Sequence, residues 1–259
     1  MKYGITLISI VPCRVEPADA AEQVSQLLFG EHYKVIDERA KWVKVRSAHD
    51  KYEGWIDRKQ WSPISDTEYQ DLDKATLSYS TELVSLVKDN QTEQVIPIVL
   101  GSSLPNLENG NLTLAEKSFT LLGDSSLAEN ISRDQLISNA FVYSNAPYLW
   151  GGRSPFGIDC SGFSQLVYKM NGVNLPRDAK DQATMGATLS FIEEALPGDL
   201  AFFDNDEGNI IHVGIILADN YIIHASGKVR IDRIDHQGIY NPEIRDYSHK
   251  LRIIKQILD

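Results

Sequence analysis

Cysteine is nearly absent from this chain: 259 residues contain two, Cys13 and Cys160. Two so widely separated cysteines cannot build a disulfide framework, so each is read for its own chemistry. No apolar run approaches the ~18 residues that a spanning helix needs. The longest early run, Ile5 to Val11, is broken at Pro12, lacks the small residues of a cleavage site and is read as a strand. Positive charge is also scarce, with 25 Lys and Arg against 36 Asp and Glu, a net charge of -11. Such a chain repels phosphate backbones and anionic lipid, which removes nucleic acid from the expected partners.

What is present divides into three stretches. Residues 1–63 hold short β-type runs between polar turns, among them Tyr33–Asp37, Trp42–Arg46 and Gly54–Ile56, and suit a small barrel. Ser65 to Thr76, opening on Asp66-Thr67-Glu68, suits a short capped helix. Residues 64–124 hold three of the basic and ten of the acidic residues and read as a second, irregular β domain, with turns at 101–106 and at Asn109-Gly110. Residues 125–259 mix helical periods, at Ser132 to Tyr143 and Ser161 to Met170, with a strand-rich final third, which is an α+β pattern.

The chemistry concentrates in that third stretch. Cys160 follows a loop holding Gly151, Gly152 and Gly157, with Gly162 just after it, and precedes a helical stripe of Phe163, Leu166, Val167 and Met170. At a helix N-terminus, free backbone N–H groups and the positive dipole end favour a thiolate, so the position suits a nucleophile. Free cysteine is also a common buried residue, but Asp159, Ser161 and the adjoining glycines are poor company for a core position.

A thiol nucleophile needs a base, and two candidates follow in a hairpin: His212 in Asn209–Leu217 and His224 in Tyr221–Ser226, around Ala218-Asp219-Asn220. Pairing centred on Ala218 sets the two histidines directly opposite each other on one face, where one ring orients the other. A two-residue turn at Asp219-Asn220 sets them on opposite faces. The remaining histidines, His32, His49, His236 and His249, have no cysteine or carboxylate at ligand spacing and are read as surface residues, so no metal and no cofactor is expected.

Asp159-Cys160-Ser161-Gly162-Phe163, His212-Val213-Gly214-Ile215 and Ile223-His224-Ala225-Ser226 resemble the motifs of the NlpC family of papain-like cell-wall cysteine peptidases. Pro147 to Gly152, Leu175-Pro176-Arg177-Asp178 and Leu196-Pro197-Gly198-Asp199-Leu200 occur in the family's order. The likeness covers roughly residues 125–259. Residues 21–31, Trp42-Val43-Lys44-Val45 and Tyr52-Glu53-Gly54-Trp55 are similar to the bacterial SH3-like domains that precede the peptidase in the γ-D-glutamyl-L-diamino acid endopeptidase branch.

The resemblance implies an α+β papain-like peptidase domain behind two small SH3-like β-barrels. It makes Cys160 the nucleophile, His212 the base, and His224 the residue that orients it. Tyr148 would line the oxyanion region, Asp159 and Ser161 would contact substrate, and Glu22 and Tyr52 would receive the free amine of an N-terminal L-alanine. Ala179 stands where relatives often carry a serine, which removes one hydroxyl contact. The expected substrate is a murein-derived peptide, L-Ala-γ-D-Glu-diamino acid, cut after D-glutamate during wall turnover or recycling. A free-amine specificity and the absence of a signal peptide point to the cytoplasm, whereas many relatives are exported. Two other readings stay open at this stage: an inactive module that binds wall peptides, and acyl transfer through the same thioester.

Overall fold

The computed structural model describes residues 1–128 and 132–258. They form two compact units, Met1–Glu129 with Trp150–Pro155, and Asn130–Leu149 with Phe156–Asp259. Both stretches read above as small β domains lie in the first unit.

The first unit opens with seven strands: β1 (Lys2–Ile5), β2 (Ile10–Arg14), β3 (Gln23–Leu28), β4 (His32–Glu38), β5 (Trp42–Ser47), β6 (Glu53–Asp57) and β7 (Ser62–Ile64), in the order β3-β2-β6-β5-β4-β1-β7. The apolar run Ile5–Val11 is therefore two strands instead of one. Thr6 donates its N–H to Glu31 and accepts that of Gly30, which turns the chain between partners: β1 pairs with β4 and β7, β2 with β3. Val11, Cys13, Leu27, Tyr33, Val43, Val45 and Ile56 close over one core, so Cys13 is a packed hydrophobe.

Helix α1 (Asp66–Leu72) follows, with the Ser65 hydroxyl accepting the Glu68 N–H at 3.1 Å. Seven more strands come next: β8 (Leu77–Ser80), β9 (Val84–Asp89), β10 (Val95–Val99), β11 (Ser103–Pro105), β12 (Asn111–Leu114), β13 (Lys117–Leu121) and β14 (Ser125–Leu127). They make a four-stranded sheet, β10-β9-β13-β12, and a three-stranded one, β11-β8-β14. A single hydrophobic cluster joins Ile5 and Phe29 to Leu72, Val87, Leu104 and Phe119, so apolar burial runs on across residue 64.

The segment Trp150–Pro155, with the short strand β15 (Arg153–Ser154), folds with this unit. Gly151 sits at φ +72°, and a Cβ there would lie 2.5 Å from the Gln23 carbonyl oxygen. Arg153 is 2% exposed and forks onto Glu31 at 2.8 and 2.9 Å, while donating to the Gln26 carbonyl at 2.6 Å. Truncating it would strand a buried carboxylate. Arg153→Ala is therefore expected to lower unfolding free energy by about 3–5 kcal/mol. Urea denaturation measures this, and a change under about 1 kcal/mol would contradict the assignment.

In the second unit, α2 (Arg133–Val142) is capped by Ser132, and Arg133 donates to Asp199 at 2.8 Å, to the Pro197 carbonyl and to the Leu258 carbonyl. The Tyr168 hydroxyl donates to the Gly198 carbonyl. The Leu196–Leu200 motif is thus an anchored turn that launches a strand. After the short β16 (Gly157–Ile158) come α3 (Cys160–Lys169) and α4 (Ala179–Gln182). The strands are β17 (Ala187–Leu189), β18 (Leu200–Asp204), β19 (Ile210–Ile216), β20 (Tyr221–Ser226), β21 (Lys228–Ile234), β22 (Gly238–Asn241) and β23 (Asp246–Gln256). Their order is β17-β23-β18-β19-β20-β21-β22, and β22 pairs back onto β23, closing a six-stranded barrel around Ala201, Phe203, Ile216, Ile222 and Ile239. Helix α3 buries its whole length and packs on β19 and β20. That packing carries Cys160 to the strand that bears His212.

Candidate active site

Cys160 is the first residue of α3 and 7% exposed. Asp159 caps the helix: its Oδ1 accepts the Gly162 N–H at 2.7 Å. Both carboxylate oxygens also take Arg177, at 3.0 and 2.6 Å, and Arg177 donates to the Ser161 hydroxyl at 2.9 Å. Asp159 and Ser161 are buried side chains that hold the helix start through Arg177. Reading the sequence for contacts to substrate passes over Arg177, although Leu175-Pro176-Arg177-Asp178 marks it. Ala179, after the N-cap residue Asp178, begins α4.

On the facing strands His212, His224 and Asp232 form a chain of hydrogen bonds. His212 Nε2 lies 2.8 Å from His224 Nδ1, and His224 Nε2 lies 3.0 Å from Asp232 Oδ2. Arg230 adds Nε at 2.7 Å and Nη2 at 3.0 Å to the same carboxylate. An ionised carboxylate can only accept, so the hydrogen sits on His224 Nε2 and leaves a lone pair on Nδ1. His212 then donates from Nε2, and its Nδ1 carries the lone pair a general base needs. Three residues in series fix one tautomer.

The strand register explains the spacing. Gly214 lies opposite His224, and Ile222 opposite Asp232, so each relay member sits one diagonal step from the next on the same face. The hairpin centres on Asp219, with Asp219 and Asn220 both left-handed at φ 57° and 59°. His212 and His224 are therefore neither directly opposite nor on opposite faces, as the two sequence readings had it. Gly214 makes the diagonal workable, because a Cβ there would come within 2.9 Å of the His224 Cβ.

Burial dominates the proton affinities. It pushes the Cys160 thiol up to about 12; the Asp159 carboxylate adds to the rise, and Arg177 with the N–H groups of Val213 and Ser161 only partly offsets it. Burial first, then the neighbouring His224 and His249, hold His212 well below the usual imidazole range. Burial outweighs the helix N-terminus here and favours the uncharged form of both the thiol and the imidazole. Alkylation by iodoacetamide is thus expected to quicken about tenfold per pH unit from 6 to 9. A rate that is flat over that range would show a preformed thiolate instead.

His249, read from sequence as a surface residue, stacks on His212 with ring centroids 4.1 Å apart and an interplanar angle of 27°. The closure of β22 on β23 brings it there. Ring nitrogens of His212, His224 and His249 lie within 4.8 Å of one another, a spacing a metal ion can span. Both nitrogens of His224 hold partners, however, and His249 Nδ1 lies 2.9 Å from the Ser248 hydroxyl oxygen. A cation here would compete with the relay.

Tyr148 is half-buried, bridges to Ile158 just ahead of Asp159, and has its hydroxyl pKa raised to about 12 by burial and the nearby Cys160 and Asp159. The structure brings it to the nucleophile's surroundings. Glu22 and Tyr52 belong to the first unit: Glu22 is exposed and accepts the Trp150 indole N–H at 2.6 Å, and Tyr52 takes its backbone N–H to Asp50 at 3.0 Å.

A buried thiol at a helix start that takes the N–H of Val213, next along the strand from an imidazole of fixed tautomer, is the arrangement of a cysteine peptidase. Residues 145–246 match the NlpC/P60 family and residues 13–60 match the bacterial dipeptidyl-peptidase SH3 domain. The γ-D-glutamyl-L-lysine dipeptidyl-peptidase of Bacillus subtilis is 32% identical over 218 residues, 78% of this chain and 71% of that protein. A Bacillus cereus protein of the same name is 27% identical over 78% of this chain, which spans 66% of that relative's length. Dipeptidyl-peptidase 6 of Lysinibacillus sphaericus is 28% identical over 90% of this chain and 92% of its own. A crystal structure of an NlpC/P60 family protein from Bacillus cereus superposes with a TM-score of 0.84 at 22% identity, covering 99% of this chain and 100% of that one. The chain belongs to the NlpC/P60 family of cell-wall endopeptidases. Its second unit is the family's papain-like domain, and an SH3 domain precedes it.

Proposed function

We propose that this peptidase hydrolyses the amide between the γ-carboxyl of D-glutamate and the α-amino group of a diamino acid, in murein-derived peptides that keep a free N-terminal L-alanine. The observation that carries the chemistry is the His212–His224–Asp232 relay, which begins next to the residue, Val213, whose N–H bonds the Cys160 thiol. Cys160 attacks the γ-carbonyl as its proton passes to His212 Nδ1, and the same proton then goes to the departing amine. A thioester remains on Cys160, and water activated by His212 releases L-Ala-D-Glu. The names of the Bacillus relatives support the bond chosen.

In this reading Tyr148 helps to bind the oxyanion, and Asp159 and Ser161 shape the substrate-binding wall. Glu22 and Tyr52 receive the L-alanine ammonium, so peptides with a blocked amine are rejected. The strands of residues 64–124 act as a second SH3-like module. Such a gate suits peptides already cut free, and in this reading the enzyme works in the cytoplasm.

Mass spectrometry of products from L-Ala-γ-D-Glu-diaminopimelate and its N-acetylated twin tests the reading. Cleavage of the free peptide alone is expected. Cleavage of both would remove the amine gate, and a transferred acyl group in place of a free acid would make the enzyme a transferase.

A further inference from the structure

Behind His249 the barrel carries a cavity of about 530 Å³, lined among others by Asp204, Asp206, His236, Tyr247 and Lys250. We propose that this cavity is the subsite for the distal ammonium of the diamino acid that leaves in the reaction, with Asp204 as its acceptor. The proposal rests on the substrate reading above and extends it to the leaving side.

Asp204 carries the argument. Its side chain is 5% exposed, its Oδ2 lies 3.6 Å from Arg252 Nε, and its Oδ1 is buried with no hydrogen-bond partner among the described residues. A buried carboxylate oxygen left open is costly and rare, and an ammonium with three N–H groups is a donor that would satisfy it. His249 links the cavity to the chemistry: it lines this space and also stacks on His212 at 4.1 Å. A four-carbon side chain reaches about 6 Å beyond the nitrogen being released, enough to pass one imidazole ring. His249 is held down to about 4 by burial, then by His224, so it stays neutral and does not repel the cation. Lysine and diaminopimelate share the ammonium. Lys250, exposed on the lining, suits the carboxylate that diaminopimelate carries at its far end.

Three tripeptides, L-Ala-γ-D-Glu followed by L-lysine, meso-diaminopimelate or norleucine, separate the terms, because norleucine keeps the chain and lacks the ammonium. The wild-type enzyme is expected to show kcat/KM at least about tenfold higher for lysine and diaminopimelate than for norleucine, a ratio that Asp204→Asn collapses to within about twofold. Equal cleavage of lysine and norleucine peptides by the wild type overturns the subsite while leaving the peptidase reading intact. A ratio unchanged in Asp204→Asn overturns it as well. Failure to cleave any of the three removes both readings.

Discussion

Cys160→Ala is expected to lower turnover by about 10⁴–10⁶-fold while leaving the protein folded. The covalent path has no substitute: the other cysteine, Cys13, is packed in the core of the first unit. The loss of one sulfur at the start of α3 leaves the Asp159 cap, the Arg177 fork and the buried stripe of the helix in place. Stability should change by no more than about 1 kcal/mol. Circular dichroism and urea unfolding verify the fold while product release is followed by mass. Residual turnover within about a hundredfold of wild type would mean that water, and not the thiol, attacks.

Asp232→Asn is expected to cost roughly 10²–10³-fold in kcat, with KM little changed. Burial alone would raise the Asp232 carboxyl, but hydrogen bonds from His224 and Arg230, with the Arg230 charge, more than offset it and hold it below the usual range. It therefore stays ionised wherever the enzyme works. An asparagine side chain can donate to His224 Nε2. That reverses the series: His224 donates from Nδ1, His212 accepts at Nε2, and the hydrogen moves to His212 Nδ1, where the lone pair is needed. The distinguishing readout is the tautomer of His212 by ¹⁵N NMR, which a merely structural Asp232 would leave alone. A pH profile adds a second readout. His212 lies well below its ordinary value, so wild-type activity should persist as pH falls past 6.5, because the base is lost only at its own lower pKa. A variant with less than threefold loss and the wild-type tautomer would end the relay account.

Local pattern made much of this legible. The glycine loop and apolar stripe placed Cys160 at the start of α3, and alternation around His212 and His224 gave β19 and β20. Register was harder, because it depends on which loop residues turn left-handed, and Asp219 and Asn220 both do. Asp232 was within reach of the same reasoning: a hairpin centred on Gly227, at φ +70°, sets Arg230 opposite His224 and Asp232 one step beyond. His249 was not, since barrel closure 25 residues after His224 brings it in, and no local period records that pairing. Nor does sequence alone show that Arg153 finds Glu31 across 122 positions. Burial of the thiol belongs to the same class. A helix start promises a low pKa, but the packing of β19 and β20 over it decides the outcome.

Trapping the acyl-enzyme tests the central claim most directly. The enzyme is mixed with L-Ala-γ-D-Glu-L-Lys, quenched in acid within its first turnovers, digested and mapped by mass. An L-Ala-γ-D-glutamyl adduct on the peptide containing Cys160, absent from Cys160→Ala, is the result the account predicts. Turnover without any adduct, or an adduct on a residue other than Cys160, would contradict it.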